Sequence, residues 1–133
     1  MRLFLPILLA LIVSSCCSHK ELAMTGNDRD ENGCIPSAGY QWSKLTNKCV
    51  RPFELEIQLH STFTDGTLYS AGIILSADKA LAEVFLKEGT FLFEKQPDAS
   101  YYSDADGMRL SLQMVNDSWR ISSKGTTLYE QVK

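Results

Sequence analysis

Cys34 and Cys49 stand 15 residues apart, close enough for two thiols to close a loop as a disulfide in an oxidising compartment. A loop of that length stabilises a fold by about 3 kcal/mol in the chain-entropy model. A zinc site would need further ligands. The two histidines, His19 and His60, lie near neither cysteine. Cys16 and Cys17 stand apart from this pair. Other candidates for chemistry are sparse. Glu54 and Glu56 share a face if the chain there is extended, and paired carboxylates are what glycosidases use. The same alternation makes them, more simply, the wet face of a strand. Neither histidine has a Ser or Cys nucleophile at a motif spacing, and no glycine-rich loop opens a helix. The run Asp28-Arg29-Asp30-Glu31 lacks the order and the distal glutamate of a calcium loop. These residues argue against an enzyme and imply neither a cofactor nor a metal.

The start of the chain bears on the disulfide. Arg2 gives a positive start, Leu3 to Val13 is apolar except for Pro6, and Ser14, Ser15 and Cys16 follow. That order makes a secretory signal, and the run is short of the roughly 20 apolar residues of a membrane span. Export supplies the oxidising compartment. The ending Val13-Ser14-Ser15-Cys16 resembles the lipobox of bacterial lipoproteins. The resemblance implies that residues 1–15 are a signal peptide and that Cys16 carries lipid. Position 17 is not Asp, which in that family's sorting pattern implies the outer membrane. The expectation is a lipid-anchored protein of the bacterial cell envelope, on the periplasmic or the surface face. Cys17 has no assigned role.

Past the leader, 12 basic residues face 16 acidic ones. Lys and Arg are scattered singly, which excludes a nucleic-acid stripe. Residues 16–32 are polar, charged and without periodicity, the composition of a flexible tether. Residues 33–52 form a second unit between the two cysteines, punctuated by Pro36, Gly39 and Asn47. Tyr40 and Trp42 lie on one face of an extended chain. They read as an aromatic plug over one end of a domain or, alternatively, as a recognition surface.

From residue 53 to 133 the hydrophobic period is two. Leu55, Ile57 and Leu59 alternate with Glu54, Glu56, Gln58 and His60; Met108, Leu110, Leu112 and Met114 alternate with Arg109, Ser111 and Gln113. These are strands with one wet face. Further strands fall at 68–75, 80–86, 90–95, 119–121 and 126–129. Asp65-Gly66, Ala77-Asp78, Lys87-Glu88-Gly89, Asp106-Gly107, Asn116-Asp117 and Lys124-Gly125 separate them as hairpin turns. Ser76 to Gly89 also fits a helix capped by Ser76 and ended by Gly89; its neighbours favour a strand. Seven or eight short strands predict an all-β fold, a closed barrel or a sandwich, and a small antiparallel meander barrel is the expectation.

Thr62 to Glu130 resembles the barrel domain of the membrane-bound inhibitors of c-type lysozyme. The residues that carry the likeness are Ser70-Ala71-Gly72 through Phe85-Leu86, Ser100-Tyr101-Tyr102-Ser103, and Trp119 followed by Ser123-Lys124-Gly125 and Leu128. The resemblance implies an inhibitor with c-type lysozyme as partner. It would insert a loop over residues 96–107, with Ser100, Tyr101, Tyr102 and Ser103, and a basic turn, Lys124-Gly125, into the enzyme cleft. The chain departs from that pattern in lacking the glycine after the serine, in having Thr126 where an acid commonly follows, and in lacking the barrel's cysteine pair. The rival expectation is a non-enzymatic envelope module binding a glycan, a small ligand or another protein. Oligomeric state has no signature in the sequence.

Overall fold

The computed structural model describes residues 28–65, 69–105 and 107–131. The leader, Cys16, Cys17 and the tether as far as residue 27 lie outside them. Ten strands follow in chain order: β1 (Gln41–Ser43), β2 (Lys48–Val50), β3 (Ile57–Ser61), β4 (Ser70–Leu75), β5 (Leu81–Leu86), β6 (Gly89–Lys95), β7 (Tyr101–Ala105), β8 (Met108–Val115), β9 (Ser118–Ser123) and β10 (Thr126–Glu130). Among the described residues there is no α-helix. Two single 3-10 turns, Pro36–Ala38 and Pro52–Glu54, each start on proline, whose fixed φ suits a first turn.

Strands β3 to β10 form one closed antiparallel barrel in meander order, and β10 pairs with β3 to shut it. The two-residue turns follow from local chemistry. Asn116-Asp117 and Lys124-Gly125 both have positive φ at each residue, as the type I′ hairpin turn requires. The interior holds Leu59, Ile73, Val84, Phe91, Phe93, Leu110, Leu112, Ile121 and Tyr129, all buried. A small barrel of eight strands is just wide enough for side chains to fill it.

The strand alternation holds where it faces this interior: Leu59, Leu110 and Leu112 are 0% exposed. It fails at two margins. The strand expected from Phe53 begins only at Ile57, because Pro52 starts a 3-10 turn and the Gln58 amide donates to the carbonyls of Pro52 and Leu55. Met114 is 51% exposed, since β8 there runs past the packed interior. Residues 76–89 are not a helix. Ser76 instead organises the β4–β5 turn: its hydroxyl donates to Asp78 Oδ1 at 2.6 Å and accepts from Leu81 N at 2.9 Å.

Cys34 and Cys49 are joined as a disulfide, which ties the β1–β2 hairpin to the Pro36–Ala38 turn. This unit does not plug an end of the barrel. It lies as a clamp across the outer face of β4 and β5. Glu83 on β5 points outward yet is only 1% exposed. Its carboxylate accepts hydrogen bonds from Ser43 Oγ and from the backbone N–H of Lys44 and Leu45. Phe85, two residues on, is buried on the same outer side. A Cβ on Gly72 would collide with the Pro52 carbonyl oxygen, so glycine is what lets the clamp approach β4. Residues 28–32, expected to belong to the tether, fold back onto the clamp. The Asp30 carboxylate accepts from the N–H of Asn32 and Cys34, and that of Asp28 accepts from Ser37. Tyr40 stacks under the Arg51 guanidinium, 4.5 Å from the ring centre, and is not a free recognition aromatic.

Candidate functional site

The buried side chains named above occupy the barrel interior, and the groups open to a partner described below lie on its outside. The barrel's outer surface is set by register. Strands β7, β8 and β9 align Tyr102 with Ser111 and Ser111 with Ser122. Their side chains alternate outward, opposite to buried Tyr101, Leu112 and Ile121. Tyr102 is 37% exposed, and Leu92 on neighbouring β6 is 43% exposed. Since Glu94 pairs with Tyr102, Leu92 lies diagonally beside that tyrosine on the same face. Arg109 is exposed on the far side of Tyr102, 3.9 Å from Asp104, a loose surface pair of little energetic weight. Two residues beyond Ser122, Lys124 and Gly125 form the β9–β10 turn, both exposed. Lys124 takes part in no ion pair among the described residues. The result is a face with two apolar side chains at its centre and two cations toward one end.

The structure divides the residues that the sequence singled out. The loop expected over residues 96–107 is in large part a strand, Tyr101–Ala105. Tyr101 and Ser103 point into the barrel and are 3% and 5% exposed. Tyr101 donates its hydroxyl to Lys79 O at 2.8 Å and meets Trp119 edge-on at 6.0 Å. Burial, assisted by Asp78, raises its phenol pKa above the ordinary value. These two residues belong to the core. Ser100 ends the β6–β7 turn, where its hydroxyl and N–H both donate to Asp98. Those bonds hold the Asp98 carboxyl below the usual range. Ser100 faces a shallow hollow of about 250 Å³ shared with Asp98, Gln113 and Met114.

Register fixes how far Ser100 lies from Lys124. Tyr101, Leu112 and Ile121 stand level across β7, β8 and β9. Ser100 is one residue to one side of that level and Lys124 three residues to the other. At about 3.3 Å per residue and 4.8 Å per strand, they are about 13 Å apart along the barrel and about 10 Å across it. Ser100 and Lys124-Gly125 therefore sit at opposite ends. Tyr102 and Lys124 share one face and are separated by about 7 Å along it.

The other candidates resolve simply. Glu54 pairs with Arg51 at 2.9 Å inside the 3-10 turn, and Glu56 is exposed, so they form no carboxylate pair on a strand. His60 faces outward beside Ser70, 3.4 Å from its hydroxyl. Among the described residues no cluster of three or more His, Cys, Asp or Glu gathers as metal ligands. Leu92 and Arg109 were legible as outward positions of alternating strands, but nothing local marks them as neighbours of Tyr102. Comparison of the chain with family models, with characterised proteins and with solved structures returned no match.

Proposed function

We propose that this chain is a non-enzymatic envelope lipoprotein, anchored through Cys16 in the outer membrane, whose β7–β9 face binds and inhibits a c-type lysozyme. One observation carries the reading: Lys124 stands exposed at a tight turn, free of any ion pair among the described residues, on the same face as the exposed ring of Tyr102. A closed, filled barrel holds such a turn rigidly, so little conformational freedom is lost on docking. A lysine presented to a carboxylate-lined cleft makes a charge-assisted hydrogen bond, and Tyr102 with Leu92 supplies the apolar anchor that interfaces favour. Past the leader, the excess of 16 acidic over 12 basic residues, a net charge of −4, speeds encounter with a basic enzyme. Ser100, at the far end, is outside this contact.

The experiment is residual lysozyme activity against titrated purified full chain. Lys124→Ala should weaken inhibition by about 2–5 kcal/mol where the contact is buried, and Tyr102→Ala by more than about 1 kcal/mol. Ser100→Ala should leave inhibition unchanged. Absence of inhibition at a large molar excess of the wild-type chain overturns the reading.

A further inference from the structure

A groove lies where the clamp meets the barrel, away from the β7–β9 face. It encloses about 360 Å³ along this seam and is lined among others by Phe53, Gln41, Gln58, Tyr69, Ser70 and Lys87. Its volume falls at the small end of ligand sites, which span about 300–1,000 Å³. Phe53 is the most exposed large apolar side chain among the described residues, at 58%. It is nevertheless fixed. A Cβ on Gly39 would come within 2.5 Å of its ring, so the bare glycine makes room for it, and the Arg51 guanidinium sits 5.9 Å from its centre. Arg51 is itself held by Glu54 and by the Ala38 carbonyl. Covering that open ring would remove apolar surface from water, which favours binding.

The polar groups around the groove are also set. Lys87 Nζ donates to Tyr69 OH at 2.7 Å and lies 4.0 Å over that ring. Its hydrogen bond goes to a phenol, and it forms no salt bridge with a carboxylate among the described residues. Glu88 and Asp65 are the acids close enough to act on it. Gln58 uses its amide N–H groups on Pro52 O and Leu55 O, and its carbonyl oxygen accepts from no side chain or backbone group among the described residues. Gln41 accepts from Thr90 through its carbonyl, and its N–H groups donate to no protein group among the described residues.

We infer that this groove binds a carboxylate-bearing sugar. A pyranose ring has one face of C–H groups, which stack on an open aromatic ring as apolar surface. Its hydroxyl and amide groups match the remaining donors of Gln41 and the acceptor of Gln58. The carboxylate meets Lys87, the groove's one cation, in a charge-assisted bond. A neutral sugar would forgo that charge-assisted bond, and a purely apolar ligand would offer the amides nothing to pair with.

The test is an NMR titration of the purified full chain with N-acetylmuramic acid and, in parallel, with N-acetylglucosamine, which lacks the carboxylate. The acid should shift the resonances of Gln41, Ser70 and Lys87 and bind about tenfold more tightly than the neutral sugar, the factor a single charge-assisted contact supplies. Lys87→Met keeps the stem but drops the charge, and should bring the two sugars level. Phe53→Ala removes an exposed ring, so the fold stands, and should weaken both by about tenfold or more. Equal affinities in the wild type, or shifts that avoid the groove, overturn the inference. Loss of lysozyme inhibition in Lys124→Ala with sugar binding intact would show the two sites to be separate.

Discussion

Ser43 Oγ donates to Glu83 Oε2 at 2.5 Å across a sequence separation of 40 residues, a fully buried bond between the disulfide-stapled clamp and the barrel wall. Both residues are essentially inaccessible to solvent. The N–H groups of Lys44 and Leu45 complete the shell around the carboxylate, and no buried side-chain polar atom among the described residues lacks a partner. A buried carboxylate persists only when so surrounded.

Glu83→Leu should therefore be costly despite adding apolar volume. It strands the Ser43 hydroxyl and two N–H groups, each worth about 1–3 kcal/mol when buried and unpaired. Urea denaturation should show the loss, and amide exchange should quicken at Lys44 and Leu45 before it does at Leu110. Unchanged protection at those two amides would remove the clamp contact from the account.

Gly72→Ala tests the same seam from the backbone side. The new Cβ would collide with Pro52 O, and neither backbone segment yields easily. A destabilisation of about 1–3 kcal/mol is expected, as for overpacking in general. Gly125→Ala, with nothing within 4 Å of its Cβ but a positive φ, should cost less, by a backbone effect alone.

Barrel register predicts a contrast along one strand. Leu110→Ala should cost about 2–5 kcal/mol. Gln113→Ala, facing outward, and Met114→Ala, facing inward at the open end, should both stay within about 0.5 kcal/mol. Thermal melts of the three variants decide it. A large loss at Met114 would mean that the interior continues past the level of Trp119.

Alkali should unfold the barrel from within. Burial raises the phenol pKa of Tyr129 and of Tyr101. The folded state thus keeps protons that the unfolded chain releases near pH 10. The stabilisation is fully present below that pH and is lost as pH rises through the folded values. Denaturation midpoints should be flat up to about pH 10 and fall above it. Replacing both residues by Phe should flatten the fall. A wild-type midpoint that stays constant through the whole alkaline range would contradict it.

Reducing the Cys34–Cys49 bond should cost about 3 kcal/mol for its 15-residue loop. The loss should fall on the clamp first: circular dichroism should retain the barrel strands of a Cys34→Ser, Cys49→Ser variant while its melting temperature drops. An unaltered melting temperature would rule the staple out as a source of stability.

What was legible in the sequence is what repeats locally. Leu59, Leu110 and Leu112 announce a buried face by alternation, and Asn116-Asp117 and Lys124-Gly125 announce turns by residue type. What was hidden depends on distant partners. Strand β5 is buried on both sides, so Glu83 reads as an ordinary wet position until the clamp is laid over it. Strand β7 carries Tyr101 and Ser103 inward, but Tyr-Tyr-Ser-Asp-Ala has too little contrast between its faces to show a period. The separation of Ser100 from Lys124 needed the register of three strands, which no single stretch encodes. The groove at Phe53 needed Gly39 and Pro52 brought against β4.

The closure of β10 on β3 has a kinetic meaning. Every other barrel pairing joins strands adjacent in the chain, and such hairpins form quickly because their loops are short. The seam alone brings together Tyr129 and Ser61, so it must wait until the last strand is available. Until then two strands present unpaired N–H and C=O groups, the template on which chains aggregate. A chain cut before Thr126 would remain in that condition permanently, with its hairpins made and its wall open.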